Sequence, residues 1–242
     1  MGMKRTVYLG FDRREAVAFR VARTSLFRHM APCLPVQWLS LEEMQQRGLY
    51  RRPFEWRQLS PDWAVMWDTI SDAPQSTEHA NSRWLVKELA GTGWVLFTDC
   101  DVLFRSNVND LFDELDPSKA LYCVQHDYQP TETVKMDGQV QTKYHRKNWS
   151  SVFALNCDHP ANAALTVDLI NTLPGRELHR FSWLDDGDIG ALDAGWNYLV
   201  GVSPPCDRVH IAHFTLGTPD MPGFYYSEFA DEWRNELERC AA

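Results

Sequence analysis

The chain has 242 residues and a formal net charge of −9, with 33 acidic against 24 basic side chains. That balance excludes a general nucleic-acid binder, which needs a basic field to displace counterions from phosphates, so any phosphate ligand must be met locally. At 44% hydrophobic and 24% charged residues, with no run near the roughly 18 apolar residues of a membrane span, the composition is that of a soluble chain able to bury a sizeable core.

Met1-Gly2-Met3-Lys4-Arg5-Thr6 runs directly into an apolar strand over Thr6 to Gly10, without the long apolar segment of a signal peptide, and a cytoplasmic location is expected. A turn, Phe11-Asp12-Arg13-Arg14-Glu15, leads to a helical pattern that offers Val17, Val21 and Leu26 to an inner face. Val36 to Leu39 reads as a second strand. Glu42 to Arg57 is polar, rich in arginine and aromatics, interrupted by Gly48 and Pro53, and reads as irregular. Asn81 to Ala90 has helical spacing and Gly91 and Gly93 end it, after which Trp94-Val95-Leu96-Phe97-Thr98 is an unbroken apolar run fit for a buried central strand.

Leu121 to Val124 reads as a strand, Gln129 to Lys147 as a polar loop or edge hairpin, and Val152 to Leu155 as another buried strand. Ala161 to Thr172 reads as a helix closed by Pro174-Gly175, Asp188 to Ala194 as a short helix, Trp196 to Val202 and Val209 to Phe214 as strands, and Glu228 to Cys240 as an amphipathic helix. Alternating strands and helices predict an α/β fold with a mostly parallel central sheet. Without repeat or linker, one domain over residues 1–242 is expected. The six cysteines are scattered without a CxxC pair and are expected to be reduced, buried thiols.

Three segments carry chemistry. Asp99-Cys100-Asp101 lies just beyond an apolar strand, where open α/β sheets bind ligands, and two carboxylates at that spacing can converge on one hard cation that bridges phosphates. They can equally cap a helix or pair with Arg105. Val209 to Gly217 leads a strand to His213, whose neutral imidazole can complete the coordination of Mn²⁺, and then to Gly217, which lets backbone N–H groups approach phosphate. Asp185-Asp186-Gly187-Asp188 either caps the following segment or turns a carboxylate toward a sugar ring.

In order and in kind, these pieces resemble the family-8 glycosyltransferases of the GT-A fold, in particular bacterial members that attach hexoses to lipopolysaccharide or capsule. The resemblance covers about residues 6 to 223. It implies that Phe11 and Asp12 meet the uracil base, that Arg83 on the helix before the Asp-x-Asp orients the donor sugar, and that Asp99, Cys100 and Asp101 form the motif that holds a UDP-sugar with Mn²⁺ or Mg²⁺. Asn148, Ser150 and Ser151 fall at the family's sugar-contacting strand, where Trp149-Ser150-Ser151 replaces Asn-Ala-Gly. Asp185, Asp186 and Asp188 stand at its Asp-Gln-Asp segment, with Gly187 in place of Gln, and carry the expected catalytic carboxylates.

His213 to Gly217 falls at the family's His-x-x-Gly segment. The lysine that usually follows is absent, so the diphosphate is expected to meet Arg13, Arg14 or Lys147. The implied reaction is transfer of a hexose, with retention, to a saccharide or glycolipid acceptor. The C-terminal helix is acidic where the family has a basic, aromatic tail, which leaves at most peripheral membrane contact. Two alternatives compete. A haloacid-dehalogenase-type phosphatase also places Asp-x-Asp after a strand, with Asp99 as nucleophile, but needs a lysine that does not occur after Lys147. The other is a nucleotide-sugar-binding module without catalysis.

Overall fold

Trp94 to Thr98 is buried at every position because both of its faces are covered, and that strand is the axis of the molecule. The computed structural model describes residues 3–31, 33–60, 63–127, 146 and 148–240. In chain order these form β1 (Arg5–Gly10), α1 (Ala16–His29), β2 (Val36–Leu39), α2 (Leu41–Gln46), β3 (Phe54–Ser60), β4 (Trp63–Asp68), β5 (Ala73–Gln75), α3 (Val86–Ala90), β6 (Trp94–Thr98) and β7 (Val102–Phe104). There follow α4 (Val108–Asp113), β8 (Leu121–Cys123), β9 (Val152–Asn156), α5 (Val167–Thr172), α6 (Gly175–His179), β10 (Ile189–Ala191), β11 (Tyr198–Leu199), β12 (Ile211–His213) and α7 (Ala230–Arg239).

The central sheet has the order β10-β8-β9-β6-β1-β2. Every neighbouring pair in it is parallel except those made by β9, which runs against both β6 and β8. The expected mostly parallel sheet is therefore present with one reversed strand. Strand residues alternate between two cores. Tyr8, Val95, Phe97, Phe153 and Leu155 pack on one face under Leu41, Trp84, Ile170 and Leu178, while Val7, Leu9, Leu96 and Ala154 pack on the other under Ala22, Leu26, Val108 and Leu111. Burial on both faces is why these strands read as continuous apolar runs rather than alternating ones.

After Thr98 the chain leaves this sheet. β7 pairs antiparallel with β12, which lies parallel to β11, and this small second sheet carries the rim away from the central strands. A third sheet, β3-β4-β5, is an antiparallel meander.

Three segments differ most from the sequence expectations. The stretch read as irregular contains most of α2 and the first four residues of β3. Its alternation is masked because β3 carries polar or aromatic groups on both faces, with the Arg57 guanidinium 4.1 Å above the Trp67 ring across the strand pair. The helix expected over Asp188 to Ala194 is strand β10, where the α-carbon of Gly190 lies flat on the Tyr122 ring and a Cβ would approach it to 2.2 Å. The helix expected over Ala161 to Thr172 is split into a 3-10 turn, Pro160–Ala164, and α5, because the Thr166 hydroxyl accepts from Leu169 N at 3.1 Å and starts a new helix. Among the cysteines, all free, Cys100, Cys123 and Cys157 are buried as expected, Cys206 and Cys240 are half-buried, and Cys33 is exposed.

Candidate active site

The site is built where β6 ends. β9 runs antiparallel beside β6 with Thr98 opposite Val152, and Asp99 N donates to Ser151 O at 2.9 Å, so Ser150 and Ser151 flank the motif. One residue further on, β7 turns into the second sheet with Val102 opposite His213, and Phe214 N donates to Asp101 O at 2.9 Å. Backbone register alone thus brings together residues more than a hundred positions apart. Ligand atoms of Asp99, Asp101 and His213 all lie within 4.8 Å of one another.

Asp99 and His213 are oriented from behind. Arg83, nearly fully buried, spans the space between β6 and β9. Its guanidinium donates to Ser150 O at 2.6 Å and Ala80 O at 2.9 Å, and lies 2.9 Å from Asp99 Oδ1. The His79 Nε2 stands 3.1 Å from the same oxygen. Burial works against the Asp99 carboxylate, but Arg83 and His79 outweigh it and hold the pKa below the ordinary carboxylate range.

His213 places Nδ1 2.9 Å from Asn197 Oδ1, while Asn197 Nδ2 donates to Ser151 Oγ at 3.0 Å and Ser151 Oγ donates to Asn148 O at 3.0 Å. That chain fixes the proton on His213 Nδ1 and turns Nε2 toward Asp101, 3.2 Å from Oδ1. Burial lowers the His213 pKa, yet the Asp101 and Asp99 carboxylates more than compensate and raise it above the usual histidine value. Among the described residues, Asp101 Oδ1 is buried without an aligned hydrogen bond. Two carboxylates, an oriented imidazole and an orphaned acceptor among them are a donor set that fits a divalent cation.

At the end of β1, Asp12 is fully buried and caps the turn Arg13–Glu15. Its carboxylate accepts from Arg14 N at 2.8 Å, Arg14 Nε at 3.0 Å, an Arg14 terminal nitrogen at 2.6 Å and Glu78 N at 2.9 Å. All of its acceptor directions are in use, so the surface it presents is that of Arg14 and the Glu78 turn. Phe11 packs edge-on against Phe19, ring centroids 5.0 Å apart. Arg13, ion-paired with Glu78 at 2.6 Å, and Arg14 line a cavity of about 270 Å³ with Leu41, Phe54 and Met66; no member of the triad borders it. Cys100 is buried and its thiol donates to Glu15 Oε2 at 3.0 Å. Gly217 leaves β12 with its α-carbon against the Phe224 ring.

The carboxylates of Asp185, Asp186 and Asp188 are not among the ligand atoms that converge here. β10 begins with Ile189 beside Leu121, the first residue of β8, and β8 runs in the direction of β6. Asp188 therefore stands at the strand-start edge of the sheet, where its carbonyl accepts from Ala120 N at 2.9 Å, whereas the triad stands at the strand-end edge. Asp186 pairs with Arg146, and the Gly187 carbonyl accepts from Lys119 Nζ at 2.7 Å. Lys147 and almost all of the Gln129 to Lys147 loop lie outside the described residues.

Sequence reasoning passed over three residues here. His79 faces Asp99. The Glu15 carboxyl is pushed up to about 7, by burial first and then by the Asp101 carboxylate. The His126 imidazole is kept neutral, with its pKa lowered to about 4 by burial and by His213. Only His79 left a signal, lying one helical turn before Arg83, and that spacing is too common to stand out.

No known protein-family model matches this chain. Protein CDI of Arabidopsis thaliana is 37% identical over 238 residues, which are 96% of this chain and 85% of that protein. The chain belongs to the family of Protein CDI. Among solved structures it is similar to the glycosyltransferase GlyE of Streptococcus pneumoniae TIGR4, with 14% identity and a TM-score of 0.57 over 98% of this chain and 60% of GlyE. It is likewise similar to the bifunctional glycosyltransferase WbbM, at 11% identity and a TM-score of 0.60, over 98% of this chain and 50% of WbbM. The galactosyltransferase LgtC, solved with donor and acceptor sugar analogues, gives 12% identity and a TM-score of 0.55 over 97% of this chain and 95% of LgtC. This chain thus spans about half to three-fifths of the first two.

These likenesses show the GT-A fold, with a reversed strand beside the motif strand. Among the described residues, no helix is long and apolar enough to cross a membrane.

Proposed function

We propose that the chain transfers a hexose from a UDP-sugar to a saccharide or glycolipid acceptor, with retention of anomeric configuration. The observation that carries this reading is the convergence of Asp99, Asp101 and His213 at a strand end of a GT-A fold, with His213 oriented through Asn197 and Asp99 gripped by Arg83. The donor set suits Mn²⁺ or Mg²⁺, which when bound neutralises the charge that develops on the leaving diphosphate.

The remaining work falls to the chain's own groups. Arg83 holds Asp99 ionised and ties the motif to the start of β9, so the carboxylate and the Ser150–Ser151 segment move as one body. Asn197 keeps the His213 Nε2 lone pair facing inward. Asp12 acts through Arg14, which it locks at the rim beside the Ser76 carbonyl, where a nucleotide is met by guanidinium and backbone groups. Asn148, Ser150 and Ser151 line the donor-sugar side.

The central test is UDP binding by calorimetry with and without Mn²⁺. The wild type is expected to bind in a Mn²⁺-dependent manner, and Asp101→Ala to lose at least about a hundredfold, near 2.7 kcal/mol. Unchanged Mn²⁺-dependent affinity in that variant removes the metal-centred reading. A phosphatase would release phosphate from p-nitrophenyl phosphate with Mg²⁺, and no release is expected here.

A second reading, a binding module that keeps the donor site without transfer, is favoured by one observation: the acidic segment expected to supply the catalytic carboxylates ends, at Asp188, on the strand-start edge of the sheet. UDP binding with neither hydrolysis nor transfer across a UDP-hexose panel would establish it.

A further inference from the structure

Asp99 is the only member of the triad whose carboxylate is engaged from behind by two separate side chains, Arg83 at 2.9 Å and His79 at 3.1 Å, and both reach the same oxygen, Oδ1. His79 is completely buried. Its Nδ1 has no hydrogen-bond partner among the described residues, and its ring occupies the space over Gly10 at the end of β1. A Cβ on Gly10 would lie 2.6 Å, 2.7 Å and 2.8 Å from three atoms of that ring. Arg83 N donates to His79 O at 3.0 Å, so the two donors are spaced by one turn on a single segment. A buried polar ring with one nitrogen unsatisfied is unfavourable by itself. The contact with Asp99 is what its other nitrogen gains.

We infer that His79 is a positioning residue for Asp99: the Nε2–H of His79 and Arg83 close a two-donor clamp on Oδ1 that turns the Oδ2 side of the carboxylate toward a bound cation, and Gly10 is glycine so that the ring can enter the clamp. The inference rests on the proposed metal-centred donor site and adds a residue to its supporting layer. In a neutral imidazole the proton belongs on Nε2, because that nitrogen faces a carboxylate while Nδ1 faces no acceptor. Supporting hydrogen bonds of this kind are typically worth about 10–100-fold in metal affinity.

The test measures Mn²⁺ alone by electron paramagnetic resonance on the full chain, together with thermal unfolding. His79→Leu keeps the bulk and removes the donor, whereas His79→Gln offers an N–H near the position of Nε2. The expected result is that Leu weakens Mn²⁺ binding about tenfold or more while Gln restores most of it, although both lower the melting temperature to a similar extent. A structural role alone predicts that the two variants lose stability together without separating in Mn²⁺ affinity, and that result overturns the inference, as does wild-type Mn²⁺ binding by His79→Leu.

Gly10→Ala provides an independent route. It should weaken Mn²⁺ binding as much as His79→Leu in the wild-type background and add little to His79→Ala, whose smaller side chain vacates the contact. Additive losses would refute the clamp. A wild-type chain that binds Mn²⁺ but no UDP overturns the donor reading and leaves the clamp standing, whereas one that binds no Mn²⁺ overturns both.

Discussion

The chain contains two Asp-x-Asp segments, Asp99-Cys100-Asp101 and Asp186-Gly187-Asp188, and the fold treats them in opposite ways. The first lies at the end of a fully buried strand, its side chains 17% and 21% exposed, and is met by Arg83, His79 and His213. The second is a turn before an edge strand, with Asp186 82% exposed and paired to Arg146. The composition of the two triplets is nearly the same. What separates them is that β6 delivers its carboxylates to the strand-end rim, where a second sheet turns in with a histidine, while β10 begins at the opposite edge beside Leu121. A carboxylate pair becomes a ligand set through what register places beside it.

The largest difference between the two should appear in stability. Arg83→Met leaves Asp99 with its strongest counter-charge removed in a nearly buried setting, and breaking such a pair costs about 3 kcal/mol or more. Urea denaturation should show that loss, with Asp99 shifted toward protonation. A loss below about 1 kcal/mol, the range of exposed pairs, would mean that solvent reaches the Asp99 carboxylate and that the two triplets are less different than their surroundings suggest.

Proton competition sharpens the comparison further. His213 has its pKa raised by Asp101 and Asp99 despite burial. A raised pKa contributes stability that is full below the unfolded histidine value and is lost as pH climbs through the folded one. A cation bound at Nε2 must displace that proton, so the stabilisation given by saturating Mn²⁺ should grow between pH 6 and pH 8. Glu15, held near 7, releases its proton in the same direction, and Glu15→Gln isolates the histidine's share. Scanning fluorimetry at several pH values reads this directly. A Mn²⁺ shift independent of pH in Glu15→Gln would exclude His213 as a ligand.

Much of this arrangement was legible in the sequence. β1, β2, β6, β8, β9 and α1 follow from apolar runs and helical spacing, because two-sided burial and a single inner face leave strong periodic signals. Asp99, Asp101 and His213 were singled out by their place at strand ends, and their contact is a matter of register between β7 and β12. Other features left no local trace. β3 mixes polar and aromatic side chains, and β10 is three residues whose identity as a strand depends on Gly190 fitting the Tyr122 ring. His79 matters only because Gly10, nearly seventy residues earlier, leaves room for it beside Asp99. Periodicity reports which face of an element is buried, and such cross-chain fits have no period.

The smallest expected effect tests the comparison from its other side. Asp186 is highly exposed, and its pairing with Arg146 is of the kind worth about 1 kcal/mol or less, so Asp186→Ala should change stability within that limit and leave Mn²⁺-dependent UDP affinity within about threefold, a difference under 1 kcal/mol. Asp188→Ala should bind UDP equally well, since its carbonyl, rather than its carboxylate, holds the start of β8. A large fall in UDP affinity in either variant would require the strand-start edge to communicate with the triad across three strands of the sheet. A fall in turnover with affinity intact has a different consequence: it would restore these carboxylates to the sugar side of the reaction and require the segment before β10 to move toward the rim once donor and acceptor are bound.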